Sequence, residues 1–291
     1  MARKAQFHGG RSSARPTPLS LRAMRFLFAT LGRIFPGLMS RWAYALWFRT
    51  RRFPESAAGK RMVRIARSET VIVDGVPLVV HIWGEGPTVL FLHGWSGRGS
   101  QVATFVEPLL AAGYRVVAAD APGHGESPGD KTNILEVAAA VQVFGEIFGP
   151  VHAAITHSYG GMVLAYAMRR GLSVGRVVMI SAPAHVGYLI AGFAQTLAIP
   201  DSVIAAMQKR INQRFEGEIW ERLSTVYSVK ELTAPALIIH DQDDKSVGWE
   251  QGKIIADAWP GAQFMKTSGL GHGRILRDEQ VVDATVEFIT G

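Results

Sequence analysis

Six short apolar runs rich in β-prone residues recur from about residue 88 onward, and helical runs separate them. The six runs are VLFLH (89–93), RVVAAD (115–120), HAAITH (152–157), RVVMIS (176–181), ALIIH (236–240) and AQFMKT (262–267). They are continuously apolar, as is typical of strands buried on both faces of a parallel sheet. The helical runs lie near 101–112, 133–148, 159–170, 249–258 and 278–289. This alternation predicts an α/β fold, a mostly parallel central sheet flanked by helices.

Two segments depart from this rhythm. Residues 71–83 predict a β-hairpin, because Asp74-Gly75 is a turn signal between two strand-like runs. Residues 184–234 contain no strand-like run and have a helical pattern. An insertion of about 50 residues between two sheet strands is too long for a simple loop. We therefore predict a small helical cap over the carboxyl ends of the strands, where the site of such a sheet lies.

The charge of the chain is divided unevenly. Residues 1–67 hold 15 Lys and Arg and one acid, Glu55, whereas the rest of the chain holds 16 bases and 23 acids. We therefore divide the chain into a basic, partly disordered N-terminal arm with amphipathic helices (1–67) and a mildly acidic body (68–291). The body has no nucleic-acid footprint, so we expect no nucleic-acid partner. With zero cysteines, disulfides and thiolate chemistry are excluded, and we expect no cofactor and no metal.

Residues 19–52 of the arm combine apolar side chains with arginines. In LSLRAMRFLFATLGRIF, Arg22, Arg25 and Arg33 lie near one helical face, Pro36 interrupts, and a second helical run, GLMSRWAYALWFRTRR, follows. Arginines break every window long enough to span a membrane. Three interpretations stay open. They are an amphipathic helix on an anionic membrane surface, a helical arm packed on the body or on a second copy, and a targeting segment. The expected disorder is strongest in residues 1–18.

Ser158 lies in ITHSYGG, between a predicted strand and a predicted helix. A serine at such a turn presents its hydroxyl near the helix N-terminus, and the strained turn needs small neighbours. Gly160 and Gly161 supply them on one side, but Thr156 stands where the G-x-S-x-G pattern has glycine. A serine before a helix is also a common N-cap. The strand context and the residues described next favour a nucleophile.

Two further groups with complementary chemistry follow predicted strands downstream of Ser158. His272 lies in the Gly-rich segment SGLGHGRIL, where a neutral imidazole suits a general base. Asp241, Asp243 and Asp244 crowd together in HDQDDKSV, and a general-base histidine needs one carboxylate to fix its tautomer. Spacing alone does not choose among the three acids, which also fit a solvated loop that caps the next helix.

The loop His93-Gly94-Trp95 follows the first buried strand. Acyl transfer needs hydrogen-bond donors aimed at a developing oxyanion. The backbone N–H groups of Trp95 and Tyr159 are our candidates, and Gly94 allows close approach. We expect His93 itself to be structural. The segment DAPGHGES (120–127), rich in Gly and Pro, predicts a tight turn that shapes the site.

Jointly, the segments LHGW, AADAPGHGES, THSYGG, IIHDQDD and GLGHGRIL resemble the α/β-hydrolase superfamily, in particular its serine esterases and lipases, over about 68–291. The resemblance implies the α/β-hydrolase fold and a triad in the chain order serine, acid, histidine. In the family, the acid commonly stands four residues after the His of an H-G-x-x-D segment. That histidine corresponds to His240, which implies Asp244 as the acid. Asp241 occupies the usual Gly position, and Asp243 is the fallback acid.

The same resemblance implies an oxyanion hole at Trp95 and Tyr159. Relatives that open epoxides or displace halide carry Asp in place of Ser158. We therefore expect a serine hydrolase that cleaves a small-molecule carboxylic ester, acyl-chain or lipid-associated, through an acyl-enzyme formed on Ser158 with His272 as base. The alternatives are acyl transfer or another reaction on the same scaffold, and a non-catalytic membrane-associated scaffold protein. We expect a cytoplasmic protein, with residues 19–52 as the candidate contact with an anionic membrane surface. The oligomeric state is not predicted.

Overall fold

The computed structural model describes residues 18–215 and 220–291. The disorder expected for residues 1–18 thus lies, except for Pro18, outside the described residues. Within them, eight strands form one sheet. The strands are β1 (Arg67–Val73), β2 (Val76–Trp83), β3 (Thr88–Leu92), β4 (Arg115–Ala119), β5 (Val151–His157), β6 (Val174–Ile180), β7 (Ala236–Asp241) and β8 (Gln263–Thr267).

The strand order is β1-β2-β4-β3-β5-β6-β7-β8, and every pair from β4 to β8 is parallel. β1 and β2 form the predicted hairpin, and β2 pairs antiparallel with β4. The hairpin turn is Asp74-Gly75, and both residues have a positive φ (48° and 78°). Two consecutive positive φ angles are what a tight hairpin turn of this twist requires, and Asp-Gly adopts them readily. The predicted α/β fold class is confirmed.

Helices cover both faces of the sheet. They are α1 (Leu19–Ile34), α2 (Pro36–Trp47), α3 (Ala57–Ile65), α4 (Ala103–Ala111), α5 (Ile134–Phe148), α6 (Tyr159–Arg169), α7 (Val186–Leu197), α8 (Asp201–Arg214), α9 (Thr225–Val229), α10 (Trp249–Ala258), α11 (Gly271–Arg274) and α12 (Glu279–Thr290). One apolar layer joins the sheet to α5, α6 and α10, and a second joins the opposite face to α4 and α12. The strands are therefore buried on both sides, which explains their continuously apolar sequences.

The described part of the interval between β6 and β7 contains α7, α8 and α9 and no strand. The side chains of Leu197, Val203 and Met207 in this interval are buried in a third apolar cluster. This cluster also contains Phe28 and Met39 of the N-terminal arm. The helices between β6 and β7, which we call the cap, therefore share a core with the arm.

The arm forms three helices among the described residues. Pro36 does separate α1 from α2, but it is also the first residue of α2, a position where its missing N–H costs nothing. The third helix, α3, was not predicted. It begins after Ser56, whose Oγ accepts a hydrogen bond from the backbone N–H of Gly59 at 3.0 Å, a common N-cap arrangement. No helix in the described ranges is long and apolar enough to cross a membrane.

Candidate active site

The predicted site residues come together at the carboxyl edge of the parallel strands. Trp95 follows β3, Ser158 follows β5, Asp244 follows β7 and His272 follows β8. Parallel strands end at a common edge, so four segments distant in the chain converge there.

Ser158 lies at a sharp turn between β5 and α6, with a positive φ of 53° and a ψ of −121°. A non-glycine residue rarely adopts this conformation, and such strain recurs at functional sites. The backbone N–H of Ser158 donates to the Ile180 carbonyl of β6 at 2.8 Å, which ties the turn to the sheet. Gly160 must be glycine, because a Cβ there would lie 2.4 Å from the Leu92 carbonyl oxygen. These contacts hold Ser158 in a strained strand-to-helix turn, the kind of turn that presents a serine hydroxyl at the edge of a sheet.

Thr156 departs from the G-x-S-x-G pattern without distorting this turn. It lies inside β5, fully buried, and pairs with Leu92 of β3 and Met179 of β6. Its Oγ1 donates to the Val178 carbonyl at 3.4 Å. A β-branched residue is well suited to a buried strand. The strain is therefore confined to Ser158, and Thr156 adds a polar tie to the neighbouring strand.

Asp244 is the acid that contacts His272. Its Oδ2 accepts a hydrogen bond from His272 Nδ1 at 2.7 Å, and its Oδ1 accepts from the backbone N–H groups of Ser246 (2.8 Å) and Val247 (2.9 Å). Burial opposes the charge on Asp244. The nearby His240 imidazole, whose Nε2 lies 3.6 Å from Oδ2, and the hydrogen bond from His272 outweigh this effect and hold the pKa of the carboxyl well below its usual range. A carboxylate that stays ionised can fix the tautomer of His272 and stabilise its protonated form.

Asp241 and Asp243 bind the backbone of the loop that carries His272. Asp241 accepts hydrogen bonds from Gly271 N–H (2.8 Å), Leu270 N–H (3.2 Å) and Thr267 Oγ1 (2.8 Å). Asp243 Oδ2 accepts from Gly269 N–H at 2.7 Å. Burial disfavours the charge on Asp241, but these donors lower the pKa of its carboxyl nonetheless. The three acids thus have different partners. Asp244 binds the His272 imidazole, whereas Asp241 and Asp243 bind the backbone of the segment that leads to it.

His157 precedes Ser158 and is packed against His272. Its Nε2 lies 2.8 Å from the His272 carbonyl oxygen, and the centroids of the two rings are 4.7 Å apart. Burial and the nearby His272 lower the pKa of His157 to about 3. The neutral ring therefore carries its proton on Nε2, and this N–H donates a hydrogen bond to the His272 carbonyl oxygen. This contact brings the backbone of residue 272 next to the nucleophile turn.

Within the described residues, no hydrogen bond joins Ser158 Oγ to His272. Contacts between a nucleophile and its base are often looser before substrate binds. Because Asp244 occupies Nδ1, the remaining nitrogen of His272, Nε2, is the one available to a nucleophile.

The backbone amides of Trp95 and Tyr159, the two predicted oxyanion donors, both lie beside Ser158. Among residues 18–215 and 220–291, neither backbone N–H has a hydrogen-bond acceptor. Tyr159 is the first residue of α6, so its amide lies at a helix N-terminus, which favours negative charge. Gly94 brings the β3 loop close, since a Cβ there would lie 3.1 Å from Ser158 Cβ. The Trp95 and Tyr159 rings also contact each other edge to face, with centroids 5.1 Å apart.

His93 contacts the backbone of the loops around the site. Its Nε2 accepts from the Ala121 backbone N–H at 3.1 Å, and its Nδ1 lies 2.8 Å from the Gly94 carbonyl oxygen. Burial lowers its pKa to about 4, so the ring is neutral at pH 7. In the DAPGHGES turn, Asp120 accepts from the backbone N–H groups of Gly99 and Glu126, both at 2.7 Å. These bonds join the loops after β3 and β4 behind the site.

A cavity of about 290 Å³ opens onto Ser158 and lies between the sheet edge, the cap and the arm. Its polar lining is confined to a few groups, including Ser158, Thr132 and Asn133, and most of the wall is aromatic or aliphatic. Pockets of this kind bind small molecules mainly through apolar contacts. An apolar group of a substrate therefore has a place beside the serine.

Comparison with known proteins is consistent with this fold. The model of the alpha/beta hydrolase family matches residues 89–284, and the chain belongs to this family. The superfamily resemblance inferred from the sequence is thereby confirmed.

Curated relatives are similar to most of the body. A bifunctional esterase/perhydrolase from Acinetobacter calcoaceticus is 22% identical over 72% of this chain and 94% of its own length. A pimeloyl-[acyl-carrier protein] methyl ester esterase from Xanthomonas axonopodis pv. citri is 25% identical over 72% of this chain and 98% of its own. Among solved structures, an esterase from Rhodococcus sp. ECU1013 has a TM-score of 0.60 at 22% identity, covering 78% of this chain and 99% of that one.

The sequence did not predict the roles of two residues at the site. Asp241 is a candidate acid in the sequence, but its hydrogen bonds to the backbone before His272 were not expected, and its position directly at the end of β7 was the available signal. His157 was not predicted at all, because a histidine at the end of a buried strand gives no sequence sign of its partner, which lies 115 residues away.

Proposed function

We propose that this chain is a serine carboxylester hydrolase with Ser158 as nucleophile, His272 as general base and Asp244 as the orienting acid. The observation that carries the proposal is the hydrogen bond between Asp244 Oδ2 and His272 Nδ1, at 2.7 Å, next to a serine held at positive φ. The names of the relatives, which include esterases, support the same reaction class. We also propose the division into an arm (1–67) and a capped hydrolase domain (68–291, cap about 184–234).

In the proposed reaction, Ser158 Oγ attacks the ester carbonyl carbon while His272 Nε2 takes its proton. The negative charge that develops on the carbonyl oxygen is stabilised by the Trp95 and Tyr159 amides. The tetrahedral intermediate expels the alcohol, which receives the proton from His272, and an acyl-enzyme remains. His272 then takes a proton from a water molecule that attacks the acyl carbon. The bond between this carbon and Ser158 Oγ breaks, Oγ regains the proton from His272, and the carboxylic acid leaves.

A panel of p-nitrophenyl esters with water or an added alcohol as acceptor tests this proposal. We expect p-nitrophenol release with the free acid as the main product. A new ester as the main product would instead favour an acyltransferase. No turnover of any ester by folded protein would contradict the proposal.

We further propose that the outer face of α1 and the start of α2 binds an anionic membrane surface. Phe26 and Ile34 are 68% and 66% exposed. Arg22 and Arg33 are exposed beside them, since they lie four and seven residues from Phe26 on the same helical face. Apolar side chains flanked by cations suit the interface of anionic lipids. The strongly basic composition of residues 1–67 adds long-range attraction.

Sedimentation with vesicles of equal parts phosphatidylcholine and phosphatidylglycerol tests the membrane proposal. We expect the full chain to sediment with them and the double variant Phe26→Ser/Ile34→Ser to remain in solution. The matched control is Ile72→Ser/Ile147→Ser, which removes two similarly exposed apolar residues from the body. Equal binding by both variants would contradict the proposal. So would a dimer that Phe26→Ser/Ile34→Ser dissociates, because a second copy would then cover this face.

A further inference from the structure

The cavity beside Ser158 has one wall that comes from outside the matched family region. Leu46, Trp47 and Phe48, at the end of α2 in the arm, line it. The family model begins at residue 89, so these side chains have no counterpart in it. Phe193 and Phe215, from the cap region, line the same cavity.

The arm and cap walls contact each other directly. The ring of Trp47 packs edge to face on Phe193 with centroids 5.2 Å apart, and Phe48 lies 6.2 Å from Phe215. Further out, Arg214 Nη1 of α8 donates to the Tyr44 hydroxyl at 2.8 Å. Trp47 and Phe48 are therefore held in place by the same helices that cover the site.

The segment after α2 is fixed to the rim of the site on its other side. The Phe48 carbonyl accepts from the backbone N–H of Thr132, a cavity-lining residue, at 3.1 Å. Thr50 Oγ1 donates to the Gly123 carbonyl at 2.6 Å, and Arg52 donates to the carbonyls of Gly125 (2.8 Å) and Ser127 (2.6 Å). These bonds join the arm to the turn that follows β4. Residues 44–52 of the arm are therefore fixed on both sides of the pocket.

The size and lining of the cavity indicate its ligand. Its volume of about 290 Å³ is about twice that of an engineered apolar cavity of ~150 Å³ that admits benzene. By that comparison it holds on the order of ten carbon atoms. The lining is aliphatic and aromatic apart from the polar groups near Ser158, and within the described residues it contains no charged side chain. A medium-length acyl chain fits this description.

We infer that the N-terminal arm completes the acyl-binding pocket, and that Trp47 is a specificity-determining residue for medium-chain acyl substrates. This inference rests on the proposed function, because it places the acyl group of the ester in this cavity. It extends that function by assigning substrate selection to a segment outside the hydrolase core. In this arrangement the end of α2 contacts the acyl chain.

Chain-length preference tests the inference. We expect Trp47→Ala to lower the ratio of kcat/KM for p-nitrophenyl octanoate to that for p-nitrophenyl acetate by about tenfold or more, since each methylene contact in such a pocket is worth roughly that much. The matched control is Trp42→Ala, which removes a tryptophan of the same helix. Trp42 stacks on Phe28 at 4.7 Å and is not part of the cavity lining. We expect its ratio to stay within about twofold of the wild-type ratio.

A binding measurement separates failure of this inference from failure of the proposed function. In the Ser158→Ala background, calorimetric titration with decanoate below its micelle-forming concentration should show binding that Trp47→Ala weakens about tenfold and Trp42→Ala does not. Trp47→Leu keeps an apolar side chain and serves as a control for misfolding. We expect it to lower the affinity for decanoate less than Trp47→Ala does. Selective binding without ester turnover by the wild type would contradict the proposed function alone. Equal effects of Trp47→Ala and Trp42→Ala, or no decanoate binding, would overturn the inference.

Discussion

The carboxyl edge of the sheet and the N-terminal arm reach the same cavity by different physical means. At the sheet edge, each group is held by short hydrogen bonds from strand ends, as in the 2.7 Å contact of His272 with Asp244. In the arm, the positions of α1 and α2 depend mainly on the packing of their apolar side chains against the cap. Replacing one atom of a catalytic hydrogen bond can remove most of the activity, whereas removing part of an apolar side chain lowers the packing energy gradually. Substitutions in the two regions should therefore differ by orders of magnitude in their effect on turnover.

The largest effect is expected at the general base. His272→Ala should lower kcat by about 10⁴-fold or more, because Ser158 then loses its proposed general base. The control is His152→Ala, at the opposite end of β5, where the imidazole contacts the Ile289 carbonyl. Steady-state rates on p-nitrophenyl acetate measure both. Loss of less than about tenfold in His272→Ala would place the base elsewhere.

The next largest effect on kcat should distinguish Asp244 from Asp243. Asp244→Asn should lower kcat by about 10⁴-fold, since the amide cannot hold the same tautomer of His272. Asp243→Asn keeps an oxygen that can accept from the Gly269 amide, and should cost less than about tenfold. The same assay ranks the two variants. A larger loss in Asp243→Asn would move the triad acid to residue 243.

The pH dependence of stability should also be concentrated at the sheet edge. Burial lowers the pKa of His124 to about 4, whereas an unfolded histidine titrates near 6.5. Between these values the unfolded chain binds a proton that the folded chain does not. The resulting stabilisation is complete above about pH 6.5 and is lost as the pH falls towards 4. Residues 18–66 of the arm contain no histidine.

Urea unfolding between pH 7 and pH 5 measures this linkage. His124→Asn should reduce the slope of unfolding free energy against pH by up to about 1.4 kcal/mol per pH unit, which corresponds to one proton. An unchanged slope would mean that His124 binds its proton equally in the folded and unfolded states, which would contradict a lowered pKa.

The smallest effect is expected for a contact of the arm, and it concerns the free energy of unfolding. Arg25 Nη1 donates to the carbonyls of Gln195 (3.1 Å) and Thr196 (2.7 Å) at the end of α7. Arg25→Ala should lower the free energy of unfolding by about 0.3–1 kcal/mol, the usual value of a cation at a helix C-terminus. Arg22→Ala is the control, because its side chain makes no hydrogen bond within the described residues. Equal Tm values for the two variants would show that this contact contributes nothing.

The same contrast explains what the sequence could predict. The strands could be predicted because buried strands have continuously apolar sequences, and Ser158 and His272 became candidates because they follow predicted strands. Asp244 was singled out from its two acidic neighbours only through the family resemblance. Packing of the arm on the body was one of three open interpretations, and the structure shows α1 and α2 packed on the cap. The sequence could not name that partner, since an amphipathic pattern shows that one face is covered but does not identify the covering surface. The same holds for Asp241, whose role depends on a loop 30 residues away in the chain.

The proposed function depends on Ser158 being a nucleophile that its turn and His272 activate. Reaction of the full chain with a fluorophosphonate, followed by peptide mass spectrometry, measures this reactivity. We expect one adduct on Ser158, absent in Ser158→Ala and strongly slowed in His272→Ala. An unlabelled but folded wild-type protein, or an adduct on a different serine, would contradict it.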